Sequence, residues 1–108
     1  MTRRRRGAPE LVVISWRDIP AQVTATNADS KESTVLSDRF QVAIDRAAAV
    51  AGLTETQAYV NEWRRTSHPL TADDLGVEVS TVAAGIEAGY PRDRLEAIVK
   101  DGGLDSAT

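Results

Sequence analysis

The sequence predicts an α+β domain with segregated elements: a small N-terminal antiparallel β-hairpin, with room for a short third strand, followed by about four helices packed on it. Two features of the pattern carry this reading. Residues 11–36 hold short runs of β-branched and apolar residues at a period of two, bounded by turn-forming residues. From Ser37 onward, the apolar residues recur at the helical period instead. Length supplies a third observation, since 108 residues suit one domain able to bury roughly two thirds of its unfolded surface.

The first strand is "LVVISW", residues 11–16, too short for a stable helix and rich in strand-forming side chains. Val12, Ile14 and Trp16 would share one face. Leu11, Val13, Ser15 and Arg17 would share the other, which turns polar toward its end. Asp18, Ile19 and Pro20 break the strand, because Asp favours turns and Pro lacks a ladder donor. "AQVTAT", residues 21–26, is the returning arm, with Val23 and Ala25 inward. The polar "NADSKES" that follows is a turn, and "TVL" at 34–36 is the candidate third strand.

Ser37 stands where it can cap a helix running to about Ala51, with Phe40, Ala43, Ile44, Ala47, Ala48 and Ala51 on one face and Gly52 as its stop. Thr54 and Gln57 have the spacing of a capping box for a second helix carrying Ala58, Tyr59 and Trp63, which "RRTSHP" ends. Thr71 and Asp74 repeat that spacing before a third helix with Leu75, Val79, Val82, Ala83 and Ile86 inward and Gly89 at its end. Pro91 opens a fourth, with Leu95, Ile98 and Val99 inward and Gly102 closing it. The domain so defined spans 11–104, between a disordered basic tail at 1–10 and a short tail at 105–108.

Composition narrows the function classes. The apolar share of 42% and the charged share of 27% are those of an ordinary soluble domain, and no apolar run approaches the about 20 residues of a membrane span. With no cysteine, thiol nucleophiles and thiolate metal sites are excluded, and a cytoplasmic location is the expectation. Residues 1–10 carry four arginines and Glu10, a net +3; against a whole-chain charge of −3, the other 98 residues carry −6. An acidic body repels phosphate, so only Arg3 to Arg6 could serve nucleic acid. Their bland reading is a solvated chain end.

No catalytic set emerges. His68 is the sole histidine and sits in "SHP", read as a loop, where sequence neighbours rarely face one another productively. One histidine leaves only carboxylates such as Asp74 and Glu78 as metal ligands, and these read as a solvated helix face. Gly102-Gly103 follows a helix rather than opening one, so no phosphate loop is present.

The tryptophans say more. Trp16 and Trp63 each precede an arginine, in "WRD" and "WRR". Both indoles can anchor a core poor in other aromatics, with Arg64 and Arg65 as last-turn cations favoured by a helix dipole. Equally, Arg17, Arg64 and Arg65 can form one cationic rim with Trp16 as a platform, suited to a carboxylate, a phosphate or a partner helix. Asp18 would then hold Arg17 or cap the turn. An exposed sheet edge that accepts a partner's strand is a third use of the same region, with Lys31 as its edge protection.

"VVISWRDIPAQV", "LSDRFQVAIDRAAA", "YVNEWRR" and "RLEAIVKDGG" together resemble the bacterial virulence-factor family over roughly residues 11–104. "WRDIPAQV" is the distinctive piece, and the arginine-rich start departs from the pattern. The family takes its name from a domain closing a larger virulence-associated protein, and many bacteria encode the domain alone at about this size. The resemblance implies no catalytic residues and no established activity. Stand-alone members are encoded near corrinoid- and folate-dependent methyl-transfer proteins, which implies a methyl-transfer enzyme as one candidate partner.

The expectation is therefore a small accessory or protein-interaction module without catalytic or metal-binding residues, whose contact surface comprises Trp16, Arg17, Asp18, Arg64 and Arg65. The alternative is a component of corrinoid- or folate-dependent one-carbon transfer, holding a folate-type anionic ligand at the same arginines.

Overall fold

A computed structural model of the chain describes residues 9–70 and 73–105. The readings made of Arg3 to Arg6, Thr71 and residues 106–108 fall outside them. The described chain runs β1 (Glu10–Trp16), β2 (Ile19–Thr26), β3 (Lys31–Val35), α1 (Asp38–Ala51), α2 (Thr56–Val60), β4 (Trp63–His68), α3 (Leu75–Gly89) and α4 (Arg92–Lys100). The α+β architecture holds, but the sheet has four strands rather than two or three, all antiparallel, in the order β3-β2-β1-β4.

The fourth strand corrects the reading of residues 54–68. The second helix is a single short turn-and-a-bit with Glu55, not Thr54, at its N-cap and no side-chain capping bond. Trp63 then pairs with Trp16, and Arg64 and Arg65 lie in a strand, not in the last turn of a helix. His68, expected in a loop, ends that strand opposite Leu11. The physical reason lies in β1. Its Leu11-Val12-Val13-Ile14 run is apolar toward both faces, the pattern of a central strand. A central strand has backbone donors and acceptors on both edges; β2 satisfies one edge and the polar "WRRTSH" satisfies the other.

Between β1 and β2 the register shifts: Ile14 opposes Gln22 but Ser15 opposes Pro20, so Ala21 is the extra residue of a bulge. A bulge sharpens local twist and re-aims side chains. Above it, Leu11 and Val13 join Val23 and Ala25 in a cluster with Leu75 and Val79 of α3. Below it, Trp16 and Ile19 join a larger cluster with Phe40 and Ile44 of α1 and Leu95, Ile98 and Val99 of α4. The expected grouping of Trp16 with Val12 and Ile14 therefore fails at the bulge; neither of those two enters a cluster.

The long helices follow the predicted apolar faces. Ser37 occupies the N-cap of α1, yet it makes no capping bond. Its hydroxyl and its amide both donate to Glu87 on α3, at 2.9 and 2.7 Å. Gly52 ends α1 in the left-handed region, donating back to Ala48 and Ala49 carbonyls. Asp74 caps α3 itself, accepting the Val77 N–H at 3.1 Å. No helix among the described residues is long and apolar enough to cross a membrane.

Candidate arginine-walled cleft

The strand pairing of Trp16 with Ile19 leaves Arg17 and Asp18 as a two-residue hairpin loop. Arg17 sits at φ 51°, a left-handed conformation that costs a non-glycine residue about 1 kcal/mol. Four bonds hold it and its neighbour there. The Arg17 amide donates to the Glu62 carbonyl at 3.0 Å, and the Asp18 amide to the Gly103 carbonyl at 2.8 Å. The Arg17 guanidinium donates through Nε to Glu62 Oε1 at 2.9 Å and through Nη1 to the Gly102 carbonyl at 3.1 Å. One residue thus ties the hairpin to the α2–β4 connection and to the segment after α4.

Trp16 lies directly beneath. It is 0% exposed, its ring stacks on Tyr59 at 5.6 Å, and its indole N–H donates to the Tyr59 carbonyl at 2.8 Å. Gly103 covers it from the other side: a Cβ there would stand 2.9 Å from Trp16 Cζ3, and the backbone φ of +98° also favours glycine. Gly103 is therefore a lid over the indole, and Trp16 supports the cleft from below without reaching its surface.

Above this base is an open polar cleft of about 480 Å³, lined by Ser15, Arg17, Asp18, Arg64, Thr66, Tyr90, Arg94 and Asp105. Arg17, Asp18 and Arg64, all expected at the site, come together here. Arg65 does not. Alternation along β4 turns it to the opposite face of the sheet, where it lies 3.8 Å from Glu10. Tyr90, Arg94 and Asp105 were not foreseen, because the α3–α4 turn and the end of the chain reach the cleft only through tertiary packing. Asp105 lies where the sequence predicts the start of a tail, yet it lines the cleft.

Each arginine of the cleft carries a carboxylate: Glu62 on Arg17, Asp18 on Arg64 at 3.1 Å, and Asp105 on Arg94 at 2.8 Å. Asp18 also accepts the Asp105 N–H at 2.7 Å through its second oxygen. Arg94 stacks its guanidinium 4.1 Å from the Tyr90 ring centroid and donates to the Gly89 carbonyl at 2.6 Å. Its hydrogen bond to Asp105 raises the Arg94 pKa above the ordinary arginine value, with burial opposing. Each of these ion pairs is one N–H···O bond, of a kind a guanidinium can also make to another carboxylate or to a phosphate. Among the described residues, no group of three or more His, Asp or Glu side chains is placed to hold a metal ion.

A family model described as "Virulence factor" matches residues 14–99, which include every wall of the cleft except Asp105. No curated protein and no solved structure matches the chain.

Proposed function

The chain belongs to the virulence-factor family, and from its geometry we propose that it is an accessory protein-interaction module whose contact surface is the arginine-walled cleft. The observation that carries this reading is the convergence of Arg17, Arg64 and Arg94, from a hairpin loop, a strand and a helix, on one concave surface. Arginines already held by carboxylates and by an aromatic ring have lost much of their rotamer freedom, so a partner that engages them meets a smaller ordering cost. Arginine beside tyrosine is also the composition enriched where interface energy concentrates. The proposal takes the cytoplasm as the compartment, where a domain without disulfides is at no disadvantage.

The test is affinity capture of the tagged chain from a lysate of the organism that encodes it, with quantitative mass spectrometry. Wild type is compared with Arg64→Ala and Arg65→Ala, neighbours in sequence that lie on opposite faces of β4. One stoichiometric partner lost with Arg64→Ala and kept with Arg65→Ala is the expected result. Capture indifferent to Arg64, or empty, removes the cleft as a contact surface.

The size of the cleft favours one further reading, since about 480 Å³ falls within the usual span for small-molecule sites. A folate-type anionic ligand, in an accessory role to corrinoid- or folate-dependent methyl transfer, would set its carboxylates against the same arginines. Such a ligand at 100 times its Kd adds about 2.7 kcal/mol of stability, so a thermal-shift series with folates and corrinoids that shows no shift eliminates it. If the captured partner is a methyltransferase, the two readings become one.

A further inference from the structure

The three carboxylates that pair with the cleft's arginines are not equivalent. Glu62 and Asp18 belong to connections pinned by backbone hydrogen bonds, Glu62 through its carbonyl to Arg17 and Asp18 through its amide to Gly103. Asp105 belongs to no helix or strand, and it follows the half-exposed Leu104. Its side chain is nevertheless only 11% exposed, against 40% for the arginine it meets. The segment after α4 thus places a largely buried carboxylate in the cleft.

In the cleft the Asp105 N–H donates to Asp18, and its carboxylate accepts from Arg94. An acidic residue in any extended peptide carries the same pair, a backbone donor and a side-chain carboxylate. Arg94 stays in place without Asp105, because the Tyr90 ring and the Gly89 carbonyl hold it independently. Gly103 can stay against Trp16 and Gly102 against Arg17 while the chain from Leu104 onward swings away. Building on the reading of the cleft as a contact surface, we infer that it takes an acidic peptide segment of the partner and that Asp105 is an internal stand-in for that segment's carboxylate.

Competition of this kind sets the apparent affinity. A partner that binds only the open form sees its Kd divided by the open fraction, so a cleft occupied nine times in ten by Asp105 costs about tenfold in affinity. Asp105→Asn keeps the backbone N–H but removes the charge that pairs with Arg94, so the segment holds the cleft less tightly and the open form gains population.

The experiment is calorimetric titration of the full chain with an acetylated, amidated tetraglutamate peptide at low salt, with tetraglutamine as the neutral control. Asp105→Asn is expected to bind tetraglutamate about tenfold more tightly than wild type. Adding Arg94→Gln to that variant is expected to abolish the gain. The Arg94 Nε–Hε resonance gives a second readout should the double variant fold poorly: in Asp105→Asn it shifts on addition of tetraglutamate and not of tetraglutamine. Equal affinity of wild type and Asp105→Asn, no binding to either, or a gain that survives Arg94→Gln each overturns the inference. If those results coincide with partner capture that still depends on Arg64, the module reading stands alone. Arg94-dependent peptide binding with capture indifferent to Arg64 keeps the carboxylate site and overturns the module.

Discussion

The indole N–H of Trp16 donates to the main-chain carbonyl of Tyr59 while the two rings stack at 5.6 Å, so one buried side chain locks the sheet to the short α2 turn. Trp16→Phe removes the shorter of that carbonyl's two bonds, leaving the Glu62 N–H at 3.2 Å, and opens space in the cluster that holds Ile44 and Ile98. The two effects together cost roughly 3 kcal/mol. For a domain of this size the expected fall in Tm is about 10 °C, measured by thermal unfolding. A shift of only a degree or two means that the pairing contributes little.

Gly103 and Gly52 separate two costs that glycine replacement usually mixes. Both have positive φ, but a Cβ at Gly52 meets nothing within 4 Å, whereas at Gly103 it meets the Trp16 ring at 2.9 Å. Gly52→Ala is expected to lose about 1 kcal/mol from backbone strain alone. Gly103→Ala adds a clash with a ring that cannot move, for a total of about 3 kcal/mol. Urea denaturation of the two variants measures the difference, and equal losses contradict the lid over Trp16.

The hairpin and the helices α1, α3 and α4 were legible because each repeats an apolar spacing over several turns or strand pairs. Phe40, Ile44, Ala47 and Ala48 announce α1 as clearly as Leu95, Ile98 and Val99 announce α4. β4 was not, since "WRRTSH" has almost no apolar residue to alternate. Its strand state is imposed by the open edge of β1, a non-local demand that no window of sequence contains. The candidate site divides the same way. Arg17 and Asp18 are one local turn, visible in "SWRDIP", whereas Arg94 and Asp105 meet them only after the chain doubles back past α4.

Arg17 is expected to respond to substitution in an unusual order. Alanine removes the ion pair to Glu62 and the bond to Gly102 but keeps the strained φ of 51°, so Arg17→Ala should lose about 2 kcal/mol. Glycine loses the same contacts yet relieves the strain, so Arg17→Gly should be about 1 kcal/mol more stable than Arg17→Ala. Arg65→Ala, whose guanidinium is well exposed beside Glu10, should change stability by less than about 0.5 kcal/mol. Chemical denaturation of the three variants gives the order, and an alanine variant more stable than the glycine one refutes the strain.

Glu87 joins α3 to the start of α1 and supplies the pH dependence. Burial pushes its carboxyl up, but the Ser37 amide and hydroxyl together with Arg39 outweigh that and hold it below the ordinary carboxylate value. A carboxyl depressed in the folded state binds its proton more readily when unfolded, so its contribution to stability is present above the unfolded pKa of about 4.3. That contribution disappears as pH falls through the lower, folded value. Glu87→Gln cannot accept the same charged bonds, so at pH 7 the variant should melt below wild type. The gap should narrow as the pH is taken from 5 toward 3, because wild type then loses what the variant never had. Melting curves at pH 7, 5 and 3 decide the matter: a gap that stays constant, or widens in acid, means that Glu87 contributes through packing and not through its charge.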